Sequence, residues 1–241
     1  MSGISDKASV ETDKIGKNVT IHPFAVIRQD VVIGDNVVIH PHVVIEPHVV
    51  IGDGTEIFPF AYVGKVPKGP GPFPREIVYE QKVVIAENCS IGHASTIYYG
   101  AQIGPSCLIG DKASIREKVK IGESCIIGPL TNISWAVTIG KRTRVLNQSV
   151  VAGNSSIGDD CFISIHVSFT NDNFFGERGY DESFVQSAKL GNRVKVGAGV
   201  IFLPSVCVGD GAIIGAGSIV TKDVLADTTV RGQPARVVSK P

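Results

Sequence analysis

Apolar residues recur every six positions along most of this chain. Steps of six from Ile85 meet Ile91, Ile97, Ile103, Ile109, Ile115, Ile121, Ile127, Ile133, Ile139, Val145, Val151, Ile157, Ile163 and Phe169 without a miss. A period of six is not the 3.6 of a helix, and self-similarity of this kind predicts a stack of short strands in which neighbouring repeats bury one another's apolar faces. The same register runs from Ile15 through Ile21, Ile27, Ile33, Ile39, Ile45, Ile51 and Ile57 to Val63, and again from Leu190 through Val196, Phe202, Val208, Ile214 and Val220 to Ala226. Four residues after almost every start stands a small side chain, as at Val19, Ala25, Ser95, Thr143 and Ala212. Glycine often follows the start, as in IGKN, IGDN and IGES, and supplies the permissive backbone that a corner demands.

The cysteines give the length of one coil. Cys89, Cys107 and Cys125 are 18 residues apart and Cys161 follows at twice 18, so three hexads close one triangular turn. Stacked in the interior, these residues act as small apolar side chains; no close Cys pair or CxxC points to a metal or a disulfide. The expected fold is all-β, with about ten triangular coils. A solenoid grows in one dimension, so a tail at 1–14 and a single domain over 15–241 are expected.

Two segments break the repeat, at 64–84 and 170–189. The first contains KVPKGPGPFPRE, too rich in Pro and Gly for a coil. They follow the ninth and the twenty-fourth hexads, both multiples of three. Both loops are therefore expected to leave the prism at one corner, five coils or roughly 24 Å apart in height. Long loops on a regular scaffold are where function tends to sit, although covering an edge or knitting subunits together is the plainer use.

Charge excludes some classes. Lys plus Arg and Asp plus Glu number 23 each, and the basic residues are scattered, so the footprint of a nucleic-acid binder is absent. No run approaches the roughly 18 apolar residues of a membrane span, and the N-terminus carries no apolar signal segment. A cytoplasmic location is the expectation.

Counting in threes also sorts the polar residues. His93, Asn147 and His166 fall on the second face of their coils. Asn147 and His166 are in successive coils, about 5 Å apart in height, whereas His93 lies three coils lower, about 14 Å away and beyond hydrogen-bond reach. Asn147 and His166 can share a site; His93 cannot join it.

These hexads, with their IG corners, resemble the left-handed parallel β-helix of the hexapeptide-repeat acyltransferases. The resemblance covers nearly the whole chain, and the left hand is carried over from it, since the general rule for parallel crossovers favours the right. On the second face, VGAGVI at 196–201 and IGAGSI at 214–219 place Gly197, Ala198 and Gly199 eighteen residues before Gly215, Ala216 and Gly217. This small-residue column leaves a shallow channel with accessible backbone groups. Tight coil packing explains the glycines equally well, but the family binds the pantetheine arm of coenzyme A between subunits along these last coils. The resemblance then assigns Lys222, Arg231 and Arg236 to the cofactor phosphates.

Within the family, the run from VLNQSVVAG to FTNDN is similar to acyltransferases of nucleotide-linked amino sugars. It implies that Asn147 contacts the acceptor amine and that Thr170, Asn171, Asp172 and Asn173 help build the acceptor pocket. The expected reaction is attack of the sugar amine on acyl-coenzyme A, acetyl-coenzyme A first among donors, with no metal. His166, where several relatives have Asn, is placed as base because imidazole titrates near working pH; alternatively the departing thiolate collects the proton. Asn147 offers only hydrogen bonds and orients the amine.

A homotrimer with sites at its interfaces is implied by the resemblance alone. An O-acyltransferase would use the same donor channel and histidine. A zinc carbonic anhydrase of this fold lacks support, since Tyr98 and Tyr99 stand where an imidazole ligand is needed, and His22, His40, His42 and His48 read as outward side chains. A non-catalytic scaffold has no need of two loops at one corner beside a Gly-Ala-Gly channel. Tyr98, Tyr99 and Trp135 are candidates either for stacking on a nucleobase or for a subunit interface.

Overall fold

The computed structural model of the chain describes residues 3–68, 77–177 and 185–239. The loop stretches 69–76 and 178–184, parts of the two expected interruptions, lie outside the described residues. The described residues form strands of two to four residues in three sheets of 13, 11 and 9 strands, which close a left-handed parallel β-helix of about 12 turns. Among them no helix is long and apolar enough to cross a membrane.

Eighteen-residue coils put like on like. Ile91 pairs with Ile109 and Ile109 with Ile127, while the residue before each start points outward. The hexad starts from Ile21 to Val220 are buried, and burying an isoleucine contributes roughly 2 kcal/mol. The backbone ladder runs coil to coil, as in Gly110 N–H to Ile127 O at 2.7 Å.

From Ile15 on, where one hexad follows another, the strand ends in a sharp turn and the third residue after the start takes a left-handed backbone. Its φ is 56° at Asn18, 65° at Phe24, 59° at Leu130 and 57° at His166. That conformation costs an L-residue roughly 1–2 kcal/mol, so the coil stack must hold it in place.

The small residues four after each start do more than fit. Cys125 Sγ donates to Gly140 O (2.9 Å), Cys107 Sγ to Gly122 O (3.0 Å), Thr143 Oγ1 to Gly158 O (2.7 Å) and Ser149 Oγ to Ser164 O (3.1 Å). Each satisfies a corner carbonyl of the coil above. Cys, Ser and Thr are therefore interchangeable here in a way that purely steric reasoning misses. Ser95 is the exception: its buried hydroxyl finds no partner among the described residues.

The solenoid departs from expectation at both ends. Within the expected tail 1–14, strands Gly3–Ile4 and Ser9–Val10 pair in parallel with Thr20–Ile21 and Val26–Ile27, making a first coil. Its starts, Ile4, Val10 and Ile15, are spaced six and then five, which hides it from a strict count. At the other end Ala226 is exposed rather than a buried start. After Val220 the chain takes a four-residue step to Val224, which bridges Val208, and Val230 then pairs with Ile214. Thr229–Arg231 and Arg236–Ser239 close the top as an antiparallel hairpin.

Both interruptions leave after a strand of the 11-stranded sheet and rejoin at one of the 9-stranded sheet. The first runs from Tyr62–Lys65 to Val83–Ile85, the second from Ser168–Phe169 to Lys189–Leu190. Five pairings separate their exits along the 11-stranded sheet. One corner therefore carries both loops.

Candidate active site

Asn147, His166 and the glycine column lie at the corner where the 13-stranded sheet passes into the 11-stranded one. Backbone bonds join them in a single file: His166 N–H to Asn147 O (3.1 Å), Gly199 N–H to Ile165 O (3.0 Å) and Gly217 N–H to Ala198 O (2.8 Å). The expected adjacency of Asn147 and His166 is thus direct in the backbone but offset by one residue in the side chains. Gln148 (φ 59°) holds the corner position that His166 (φ 57°) holds one coil up. Gln148 was missed in the sequence, although 148 plus 18 is 166.

Asn147 is distinguished by what lies beneath it. At several corners an Asx two residues after the start accepts the backbone N–H of the coil below: Asp35 from Lys17 (2.7 Å), Asp111 from His93 (2.8 Å), Asp159 from Lys141 (2.8 Å). Asn147 has the same pose, since a methyl group added at Gly128 would stand 2.7 Å from its Oδ1, just as one at Gly92 would from Asp111 Oδ1. The residue below Asn147, however, is Pro129, which has no N–H. Its exposed carboxamide is left with no hydrogen bond among the described residues. Pro129 stands 18 residues before Asn147, so this signal too was present in the sequence.

The glycine column divides in two. A methyl group at Gly197 would lie 2.5 Å from Ala216 N and one at Gly215 2.8 Å from Arg231 Cβ, so these two glycines serve coil stacking. At Gly199 and Gly217 an added methyl meets nothing within 4 Å. Their φ of 68° and 67° is the corner value that Phe24 and Leu130 also adopt, so turn geometry alone does not require glycine there. They keep the outer corner open. No Asx stands above Asn147, Ile165 or Ala198, and their backbone N–H groups find no acceptor among the described residues. The outward carbonyls of Gln148, His166 and Gly199 are likewise unengaged. The corner is a rail of free donors and acceptors.

Of the three cations, Lys222 and Arg236 line one cavity of about 270 Å3 at the top of the helix. Arg231 pairs across the hairpin with Arg236. All three are exposed and none forms an ion pair among the described residues.

The acceptor-loop residues are less close than expected. Thr170 begins the loop at the far end of the strand that follows His166. Four extended residue steps separate them, ~13 Å. Two of the four named loop residues are occupied in holding the loop: Thr170 Oγ1 donates to Phe202 O (2.9 Å), and Asp172 accepts from Phe174 N–H and Gly176 N–H (both 2.6 Å). Asn171 and Asn173 remain for contact with a ligand.

The other candidates make contacts within the coil stack. His93 lies three coils below Asn147, its ring edge-on to Phe60 at 5.6 Å. It caps a file of outward rings at the same corner, in which Phe24 stacks on His42 (5.2 Å) and His42 on Phe60 (4.9 Å), while His22, His40 and Phe58 stack as a second file. Among the described residues no three His, Cys, Asp or Glu side chains converge as a metal cluster would require. Tyr99 is buried with its hydroxyl on Pro47 O (3.0 Å). Tyr98 packs against Lys65 and Arg116 (5.0 and 4.8 Å), and Trp135 lies on the backbone of Gly153.

With this geometry in place, the relatives become informative. The family described as bacterial transferase hexapeptide (six repeats) matches residues 14–47, 100–134 and 187–222. The chain carries, over these three stretches, repeats similar to those this family is built from. It is 38% identical over 86 residues to galactoside O-acetyltransferase of Escherichia coli, covering 34% of this chain and 42% of that one. It is 40% identical over 84 residues to serine acetyltransferase of Buchnera aphidicola, covering 35% and 31%. The chain spans less than half the length of these curated relatives. A UDP-N-acetylglucosamine acyltransferase from Bacteroides fragilis superposes with a TM-score of 0.57 over 98% of this chain and 73% of that one, at 23% identity, which establishes a shared fold.

Proposed function

We propose that this chain is an acyl-coenzyme A dependent N-acyltransferase that uses acetyl-coenzyme A to acylate the amino group of a nucleotide-linked amino sugar. The observation that carries the reading is the free Asn147 carboxamide, set over a proline, one coil below His166 and continuous with the open Gly199 and Gly217 corner. An amide-bearing pantetheine arm fits a rail of free N–H and C=O groups, and Lys222, Arg231 and Arg236 offer charge for the phosphates at its upper end.

The amine lone pair attacks the thioester carbonyl carbon while Asn147 orients the nitrogen. A free N–H of the rail stabilises the oxyanion, the C–S bond breaks, and the thiolate leaves. The amine proton passes to His166, which returns it to the thiolate. Because His166 and the Thr170 loop stand at opposite ends of one strand, a neighbouring subunit is the element that closes the acceptor pocket, in keeping with the homotrimer that the family resemblance implies. Substrate and donor of this kind suit a cytoplasmic enzyme.

Asn147→Ala should lower kcat/KM about a hundred-fold with the fold intact, and His166→Ala by a factor of 10²–10⁴ with loss of the acidic limb of the pH profile. Near-normal turnover and an unchanged profile in His166→Ala would instead assign the proton to the departing thiolate. The decisive assay incubates the protein with acetyl-coenzyme A and a panel of nucleotide-linked amino sugars and reads products by mass spectrometry. O-acyl transfer is the second reading, favoured by the O-acetyltransferase named among the relatives. Hydroxylamine separates the two, since it cleaves an ester product and spares an amide.

A further inference from the structure

The hairpin that closes the solenoid does more than end it. Its turn docks onto the upper end of the open corner: Gly232 N–H donates to Ser218 Oγ (3.1 Å), Ile219 N–H to Gly232 O (3.1 Å) and Ala235 N–H to Ile219 O (2.8 Å). These bonds fix the backbone on both sides of Gln233. The Gln233 side chain then reaches back, and its Nε2 donates to Gly217 O at 2.7 Å.

Gly217 O is the next outward carbonyl of the rail after Gln148, His166 and Gly199. Those three are unengaged among the described residues, so the corner carbonyls do not need a partner for the coil to stand. The contact therefore lacks a structural motive of the kind that fixes Asp35 or Asp111. What it shows is that a primary carboxamide finds the outward carbonyl of an open glycine corner favourable. Gln233 is exposed, and Gly217 leaves open space beside the bond, so nothing prevents the side chain from swinging away.

We infer that Gln233 is an internal competitor for the donor channel: its carboxamide occupies the acceptor that a pantetheine amide N–H takes when the donor binds, and so sets donor affinity. This rests on the donor reading given above. A thioester carried on a pantetheine arm must displace Gln233, whereas a donor lacking amides has nothing to offer Gly217 O in exchange. The residue thus weakens binding of every donor and weakens it least for an amide-bearing one. Gln233 is a positioning residue and takes no part in bond making.

The test uses Gln233→Met, which keeps the length and bulk of the side chain and removes the N–H, with Gln233→Ala beside it. Calorimetric titration of the full-length protein with coenzyme A should give about five-fold tighter binding in both variants, the effect of one ordinary hydrogen bond no longer in competition. KM for acetyl-coenzyme A should fall with it, while the melting temperature without ligand stays within a degree or two. Unchanged or weaker coenzyme A binding in both variants overturns the inference and leaves the donor channel standing. If the wild-type protein itself fails to bind coenzyme A, the donor reading falls and the inference with it.

Discussion

At the scale of single residues, this fold is decided by what each side chain offers the coil above or below it. Ser95 brings a hydroxyl into the interior that finds no acceptor among the described residues, which costs about 1–3 kcal/mol. Ser95→Ala should therefore raise the urea midpoint, a reversal of the usual sign for a core substitution. Burial lifts the Cys161 thiol above its ordinary value while its Sγ donates to Gly191 O (3.1 Å). Since the folded pKa is the higher one, this stability is fully present below the unfolded value of roughly 8.5 and is lost as pH rises through the folded value. Chemical denaturation between pH 8 and pH 10.5 should show the decline, and Cys161→Ser, which keeps the donor but does not titrate, should make it shallower, the buried Cys89 and Cys107 thiols, also raised, accounting for the remainder. Asn147 belongs to the same grammar. It is an Asx of the corner ladder whose lower partner happens to be Pro129, and its carboxamide is released from the ladder for that reason.

At the scale of the element, one six-residue turn repeats with different demands at its positions. Gly197→Ala should destabilise the fold by 2 kcal/mol or more, because the backbone of Ala216 stands about 2.5 Å from the new methyl. Gly199→Ala should cost only the roughly 1 kcal/mol of its left-handed backbone, yet raise KM for the donor by narrowing the rail. Melting curves and donor titrations read the two effects separately. The buried starts were legible in the chain because isoleucine and valine mark them at a constant period. The left-handed corners were not, since Phe24, Leu130 and His166 carry nothing in their side chains that calls for positive φ. The coil stack imposes it. The first coil escaped because one of its steps is five residues long, and the last because Val220 to Val224 is a step of four. The site stood between these cases: Asn147 and His166 followed from counting, but the occupied state of Thr170 and Asp172 depends on how the loop folds on itself, which spacing does not encode.

For the whole molecule, the consequence of stacking is that interior and exterior are assigned by count. Cys89, Cys107, Cys125 and Cys161 point inward, and Cys207, one residue before a start, points out. A thiol reagent should therefore react with one cysteine in the folded chain and with all five after denaturation. The two loops leave at one corner because 15 hexads, five whole turns, lie between their exits. Length is consequently a rotational variable in this protein. Excising residues 102–119 would set Lys120 in the place of Gln102, its present ladder partner, and lower the upper loop by one storey without turning it. Excising six residues from the same region would swing everything above by a third of a revolution and bring the second loop out over a different corner. Limited proteolysis of the two deletion variants would distinguish a shortened tower from a twisted one. Insertions and deletions that a chain of this build can tolerate are thus quantised in eighteens, with the angular placement of its loops as the conserved quantity.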